Sequence, residues 1–372
     1  MDEKKQTDCR ECTAIVLPSL DPDAKFQKVV EGLLAAGFRH VVIVDDGSRE
    51  ERKHFFTEAA EKPGCVVLTH EKNKGKGRAL KTAFGYVREH LPELRGVITI
   101  DGDGQHLTND IIACGDRMLQ NPDSVVLGCR DFSLPGVPPR SVAGNKTTSR
   151  FFRVLFGIRL SDTQTGLRAI PAQFLGTFCG IEGERFEYET NMLLYMKRLG
   201  IPFLEQPIET VYDPDDYSSH YNAVKDSWRI TKVMLRFMIT GSGFRYLVSS
   251  LLSFLVDNGL YRILFSALQG RVAVHLVSPL AQLCARIVSS LFNFTLNDRW
   301  VFENKGDHFK AFLKYYCLCI PQTLVSTVCL TALVSSLQIT APWLATLVKI
   351  LVETALFFIS YFIQKLWVFK KI

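Results

Sequence analysis

Four apolar stretches fill the last third of the chain, at about 244–268, 272–296, 312–337 and 343–369. Each exceeds the ~20 residues that an α-helix needs to cross a bilayer. Hydrocarbon supplies no hydrogen-bond partners to the backbone, so segments of this kind can only be helical there. The C-terminal part is therefore expected to be four membrane helices, with Pro321 tolerated inside the third by local adjustment. Positive charge sets their orientation. Arg229, Lys232, Arg236 and Arg245 precede the first span, Arg299, Lys305, Lys310 and Lys314 lie between the second and third, and Lys365, Lys370 and Lys371 close the chain. The link at 335–342 carries no such charge, and Gly270-Arg271 is nearly bare. Positive ends facing inward place both termini and the middle loop in the cytosol of a multi-pass protein.

Charge divides the same way. Residues 244–372 hold 12 Lys and Arg against 5 Asp and Glu, so the whole formal net charge of +6 lies there and the first 243 residues carry about −1. A nucleic-acid-binding domain should show a basic footprint, and that class is excluded. Residues 1–10 are charged and polar, without the apolar core of a signal peptide, so the soluble part is expected to stay in the cytosol. Its cysteines should then be reduced. Cys9-Arg-Glu-Cys12 is a lone CxxC, and zinc would need a second ligand pair that the nearby sequence lacks. Free thiols on a disordered tail, residues 1–12, are the expectation. Asn145-Lys-Thr147 and Asn293-Phe-Thr295 match the glycosylation sequon, but one is expected in the cytosol and the other in the membrane.

In the soluble part, short β-rich runs at 13–17, 41–44, 65–69 and 97–100 alternate with helical patterns at 24–36, 50–61 and 78–90. That alternation predicts an α/β domain with a mostly parallel sheet covered on both faces. Ligands of such sheets bind outside the strand C-termini. Polar clusters fall there: 18–23, Asp45-Asp46-Gly47-Ser48, Asn73-Lys74-Gly75-Lys76-Gly77, and Asp101-Gly102-Asp103-Gly104-Gln105-His106. Two carboxylates one residue apart at a strand end suit Mg²⁺ or Mn²⁺, which prefer carboxylate oxygen and keep substrate phosphates in their shell. The cluster at 45–48 could equally be a turn with a helix N-cap. The two Gly and two Lys at 73–77 resemble a phosphate loop ahead of a helix, although no third Gly follows as in a dinucleotide fingerprint.

Taken in order, Val42-Ile-Val-Asp45-Asp46-Gly-Ser, Asn73-Lys-Gly75-Lys-Gly77, Asp101-Gly-Asp103-Gly-Gln105-His106, Gly128-Cys-Arg130, Asn145, Asp162-Thr-Gln164-Thr-Gly166-Leu-Arg168 and Phe186-Glu-Tyr-Glu189 resemble family 2 glycosyltransferases of the GT-A fold. The resemblance is to the polyprenyl-phosphate branch, typified by dolichyl-phosphate mannose synthase, and covers about 13–240. It implies a Rossmann-like α/β domain, 13–222, acting on a nucleotide sugar, UDP- or GDP-linked. By resemblance, Asp45 would contact the nucleobase, Asp101 the nucleotide and the metal, and Asp103 and Gln105 would ligate the metal. Pro18, Asp21, Asp46, Lys74, Gly75, Lys76 and Gly102 would complete the donor site. Asp103, Arg130 and Arg140 would carry the chemistry, the arginines on donor or acceptor phosphates. Arg140, Asn145, Gln164, Arg168, Glu189 and His220 would face the acceptor phosphate or its lipid, with a third metal ligand as the other role for His220. The family's opening segment carries an aromatic residue where this chain reads Pro18-Ser19-Leu20-Asp21, so the base-stacking contact departs from the pattern.

The membrane half, 244–372, resembles the GtrA-like family, linked to moving or presenting polyprenyl-linked sugars. It contains a faint repeat: Asn293-Phe-Thr-Leu-Asn297-Asp-Arg-Trp-Val-Phe302 parallels Ser360-Tyr-Phe-Ile-Gln364-Lys-Leu-Trp-Val-Phe369 at an offset of 67 residues. Asp257, Asn258, Arg286, Asn293, Asn297, Glu353 and Gln364 are polar groups in or near the spans, marking either a site or packing glue. Between the halves, 223–243 mixes Trp228, Val233 and Phe237 with Lys and Arg, as a helix lying in the headgroup interface would. The resemblances imply an inverting, metal-dependent transfer of hexose to a polyprenyl phosphate at a bacterial cytoplasmic membrane, for cell-envelope glycan or protein glycosylation. Self-association stays open. A processive polysaccharide synthase is one alternative, but Arg299-Trp300 has Leu296 where that group's Gln-x-x-Arg-Trp motif needs Gln. A translocator of lipid-linked sugar with a nucleotide-sugar-binding domain is the other.

Overall fold

The computed structural model describes residues 8–134, 137, 139–209, 223–336, 338 and 342–369. They form two units, 1–236 and 237–372. In the first, seven strands make one sheet in the order β3-β2-β1-β4-β6-β5-β7. These are β1 (Thr13–Ser19), β2 (His40–Asp45), β3 (Cys65–Thr69), β4 (Gly96–Thr99), β5 (Val125–Arg130), β6 (Arg168–Pro171) and β7 (Phe203–Ile208). The central strands read as unbroken apolar runs because both of their faces are covered. Ala14, Ile15, Val16 and Leu17 of β1 and Val41, Ile43 and Val44 of β2 are all solvent-free, whereas β3 at the edge is half-buried. β1 pairs in parallel with β2 and β4, β2 with β3, and β5 with β7; only β6 runs antiparallel, between β4 and β5. The parallel set therefore delivers the chain after β1, β2, β3 and β4 to a single edge.

The covering helices are α1 (Cys9–Cys12), α2 (Ala24–Ala35), α3 (Lys53–Ala60), α4 (Lys76–His90), α5 (Thr108–Gln120), α6 (Pro139–Phe151), α7 (Ala172–Cys179) and α8 (Glu187–Leu199). Asp23 starts α2 by accepting the Lys25 N–H at 2.8 Å, as an N-cap should. Two expectations shift. α4 begins at Lys76 rather than 78, and a 3₁₀ turn over Glu50–Arg52 precedes α3. Disorder over 1–12 is corrected for its last residues: Cys9–Cys12 is helical, Cys9 is fully buried, and its carbonyl accepts the Thr13 hydroxyl at 2.6 Å. A small apolar thiol can join the core where a charged tail could not. The cysteines are free, and burial pushes the Cys9 thiol well above its usual value.

α9 (Ala223–Thr240) covers the expected interfacial segment and leaves Trp228 69% exposed. The second unit contains α10 (Ser242–Leu268), α11 (Val274–Leu296), α12 (His308–Ser336) and α13 (Pro342–Ile363), one helix for each expected span. α12 runs through Pro321. Among the described residues, three stretches are long and apolar enough to cross a membrane: Ser242–Leu268, Val274–Val301 and Ile350–Val368. The repeat has a structural counterpart. α11 and α13 each end in a π-helical turn, Asn297–Val301 and Gln364–Val368. The equivalent residues meet: Asn297 Nδ2 donates to Gln364 Oε1 at 3.1 Å, and the rings of Phe302 and Phe369 stack with centroids 4.8 Å apart.

Candidate active site

Asp45 and Asp46 leave the end of β2 with different tasks. Asp45 is buried, and its Oδ1 accepts the Ser48 N–H at 2.8 Å, which closes the turn. Asp46 accepts the N–H groups of Lys74 at 2.9 Å and Gly75 at 2.7 Å, and lies 2.7 Å from His70 Nδ1. Its carboxylate thus fastens the loop after β2 to the loop before α4. His70 has no motif to announce it; only its place one residue beyond β3 hints at a role. Asp21 adopts a left-handed φ of 47°, accepts the Arg49 N–H at 2.8 Å and pairs with its guanidinium at 3.0 Å. Pro18 sits in register with Val44 and delivers that loop to the same place.

The Asn73–Gly77 cluster does not form an open phosphate cradle. Gly75 has φ 103°, and a Cβ there would come within 2.4 Å of the Glu184 carbonyl oxygen. That carbonyl accepts the Arg78 N–H at 2.9 Å, so one of the amides at the start of α4 is already engaged. Glycine here permits packing against the 184–185 backbone. Lys74 remains exposed beside the loop.

Lys76 turns inward instead. Its Nζ lies 2.7 Å from Asp101 Oδ1 and 3.1 Å from Glu189 Oε1, a mostly buried triad just beyond β4. Burial alone would neutralise these groups, but their mutual attraction prevails. It holds Asp101 well below the usual carboxylate range and Lys76 above its ordinary value. Gly166 makes room for this arrangement: a Cβ there would stand 2.3 Å from Asp101 Oδ2. Asp103 lies in the opposite condition, raised by burial and then by the neighbouring charge of Asp101. Its Oδ1 accepts the Gln105 N–H at 3.0 Å. His106 is nearly buried, neither ring nitrogen has a hydrogen-bond partner, and Nε2 stands 3.6 Å from Asp101 Oδ2. Asp103, Gln105 and His106 line a cavity of about 360 Å³ that also receives Lys25 and Lys28 of α2. Gly102 has only ordinary contacts behind it, to Phe26 and Leu17.

The remaining residues form the wall across β5 and β6. Arg130 ends β5 with Nε 2.7 Å from Asp162, which is fully buried and also accepts the Gln164 N–H at 2.9 Å. Gln164 itself is exposed. Asn145 is 4% exposed and donates from Nδ2 to the Ser161 carbonyl at 2.6 Å. Arg168 is 1% exposed; its Nε donates to the Thr165 carbonyl and its Nη1 to the Glu189 carbonyl, at 3.1 and 3.0 Å. Asn145 and Arg168 therefore brace the 161–166 segment through the Ser161 and Thr165 carbonyls. Arg140 lies in α6, with its side chain outside the described residues, and His220 lies outside them altogether. Asp162 and Gly166 were legible in their motif only as markers; the packing gives them their tasks.

Among the described residues, one trio of His, Cys, Asp or Glu brings its ligand atoms within 4.8 Å of one another: Asp8, Cys9 and Asp116. There Asp8 is engaged by Arg10, and burial raises the Cys9 thiol above its usual value. At Asp101 and Asp103 the chain supplies two carboxylates and a nearby amide, a set that needs ligands from elsewhere to fill a cation's shell.

Residues 15–178 match the glycosyl transferase family 2 model, and residues 245–369 match the GtrA/DPMS transmembrane domain model. A UDP-N-acetylglucosamine–dolichyl-phosphate N-acetylglucosaminyltransferase of Methanococcus voltae is 26% identical over 215 residues, 53% of this chain and 85% of that protein. An undecaprenyl-phosphate 4-deoxy-4-formamido-L-arabinose transferase of Pseudomonas paraeruginosa is 30% identical over 120 residues, 30% of this chain and 34% of that one. Among solved structures, mannosyl-3-phosphoglycerate synthase of Rubrobacter xylanophilus aligns at a TM-score of 0.46 and 15% identity, over 60% of this chain and 72% of that one.

Proposed function

We propose that this chain, a family 2 glycosyltransferase domain joined to a GtrA/DPMS transmembrane domain, moves one hexose from a nucleotide sugar to the phosphate of a polyprenyl lipid. The observation that carries the reading is the Asp101–Asp103 pair at the shared strand edge, one carboxyl held ionised by Lys76 and the other strained by its neighbour's charge. Oxygen donors alone, with Asp103 poorly tolerated as an anion until a positive charge arrives, fit a hard divalent cation, Mg²⁺ or Mn²⁺. Asp101, Asp103 and Gln105 would hold it, and it would supply charge neutralisation to the departing diphosphate.

The chain's own groups do the rest. Asp21, Asp45 and Asp46 shape the nucleoside end through the turn and loop hydrogen bonds they accept. Lys74, exposed at the loop tip, is available to the diphosphate. Arg130, held by Asp162 at the end of β5, supplies positive charge on the acceptor side. The acceptor is a phosphate monoester, largely dianionic near neutral pH with a second pKa of about 6. It needs no strong general base, so alignment and electrostatics account for the catalysis. Attack opposite the leaving diphosphate inverts the anomeric centre. The acceptors in the names of the two transferase relatives, dolichyl and undecaprenyl phosphate, support this class of acceptor.

The test is to incubate membranes containing the full chain with a panel of labelled sugar nucleotides and undecaprenyl phosphate, then analyse the organic extract. Single labelled hexoses on lipid are expected from one donor. Label in a long polymer favours the processive alternative, and no lipid-borne label from any donor overturns the proposal.

A further inference from the structure

His70 is a buried titratable side chain one residue beyond β3, and the transfer chemistry proposed above does not use it. It bonds on both ring nitrogens. Nδ1 lies 2.7 Å from Asp46 Oδ1, and Nε2 lies 3.0 Å from the Thr82 hydroxyl of α4. The Asp46 carboxylate also accepts the N–H groups of Lys74 and Gly75, so it acts as an acceptor throughout, and the ring hydrogen of the first contact sits on Nδ1. The backbone of His70 is fixed as well: its N–H donates to the Asp45 carbonyl at 2.9 Å. Gly47 packs so closely on the next stretch that a Cβ there would stand 2.5 Å from the Asn73 nitrogen. The loops after β2 and β3 therefore form one layer, with the imidazole inside it.

That layer carries positive charge. Lys74 and Lys76 flank Gly75, which has a φ of 103°. Glycine reaches many other conformations as easily, so the bond to Asp46 is what holds this one. Thr82 stands less than two turns beyond Lys76 on the same helix. His70 thus bonds on either side of Lys76, through Asp46 to the amides before it and directly to Thr82 after it. A lysine on a loose loop must be ordered when an anion binds, and that ordering weakens binding. A lysine whose backbone is already held loses less.

We propose that His70 is a positioning residue for nucleoside diphosphate binding. Through Asp46 and Thr82 it presets the 74–76 segment, which carries Lys74 to the diphosphate and Lys76 to Asp101. The bond to Asp46 is the stronger of the two, being buried and made to a carboxylate. The inference rests on the reading that a nucleotide sugar binds at this strand edge.

The experiment is calorimetric titration of the full chain in lipid nanodiscs with UDP and with GDP, each in the presence of Mn²⁺. Limited proteolysis scores the folded fraction of every variant. H70L is expected to weaken binding of the nucleotide that the parent takes by about tenfold. H70N places an amide N–H where Nδ1 stood and should come within about threefold of the parent. H70Q, whose amide reaches the Thr82 side instead, should stay nearly as weak as H70L. T82V should cost about two- to threefold. Space filling alone would rank Gln above Asn, because Gln is the closer match to His in volume. Folded H70L with the parent's affinity, or H70Q tighter than H70N, overturns the assignment. Should H70L fail to fold, the order of H70N and H70Q decides in the same way. A parent that binds neither nucleotide removes the donor site and this inference with it, whereas parental binding that the His70 variants leave unchanged removes this inference alone.

Discussion

Both units place polar groups away from water, and they do so on different terms. Beyond β4, full charges oppose one another: Lys76 lies between Asp101 and Glu189, and Asp103 is left at a disadvantage beside them. Around Asn297, between the membrane helices, the partners are neutral: it joins Ser249, Asn293 and Gln364 in one hydrogen-bonded network. The first arrangement stores electrostatic capacity that a cation or a phosphate can use. The second fixes the geometry of four helices, and in bilayers such hydrogen bonds are individually weak.

The contrast is sharpest at Lys76. K76M should leave Asp101 and Glu189 buried without a counter-charge and lower the stability of the soluble unit by about 3–5 kcal/mol, measured by urea unfolding of residues 1–236 reporters in the full chain. A loss below 1 kcal/mol would mean the triad is as forgiving as the membrane network.

D103A separates chemistry from stability. If Asp103 holds the cation as proposed, its removal takes away one electrostatic stabiliser of the departing diphosphate and predicts a loss of transfer of about 10²–10³-fold. Asp103 is raised above its ordinary value in the folded chain, so it favours folding only when protonated, and that contribution is lost as pH climbs past the unfolded carboxylate range. D103N should therefore match or exceed the parent Tm at pH 7, with the advantage shrinking toward pH 4. A lower Tm at pH 7 would contradict the assigned sign.

G166A comes next, because its methyl group would overlap Asp101. Overpacking of this kind costs about 1–3 kcal/mol and should reduce transfer as Asp101 is displaced. Normal transfer rates in G166A would show that the position of Asp101 tolerates movement. The smallest effect is expected in the membrane, where a double-mutant cycle on N297L and Q364L should give a coupling of about 0.6 kcal/mol. A coupling above 2 kcal/mol would erase the contrast between the units.

Much of this organisation was legible in the chain's pattern. Runs such as Val41-Val-Ile-Val44 are apolar on both faces, which only a covered strand permits, and all three acidic or basic clusters lie where such strands end. The 67-residue echo in the membrane half became direct contact between Asn297 and Gln364. Other parts were not legible. Asn73–Gly77 has the composition of a phosphate loop, yet Glu184, more than a hundred residues later, occupies the Arg78 amide. Arg168, expected to face the acceptor phosphate or its lipid, is buried where β6 is inserted antiparallel between β4 and β5. His70 has no local signature at all.

Periodicity, apolar run length and the placement of charge along the chain determined a parallel α/β unit followed by membrane helices, because burial and backbone hydrogen bonding act on neighbouring residues and leave their period in the sequence. Which carboxylate is neutralised and which arginine is buried were decided only when distant segments met. Coulomb energy and desolvation depend on distances across the fold, and the order of residues along the chain does not contain those distances.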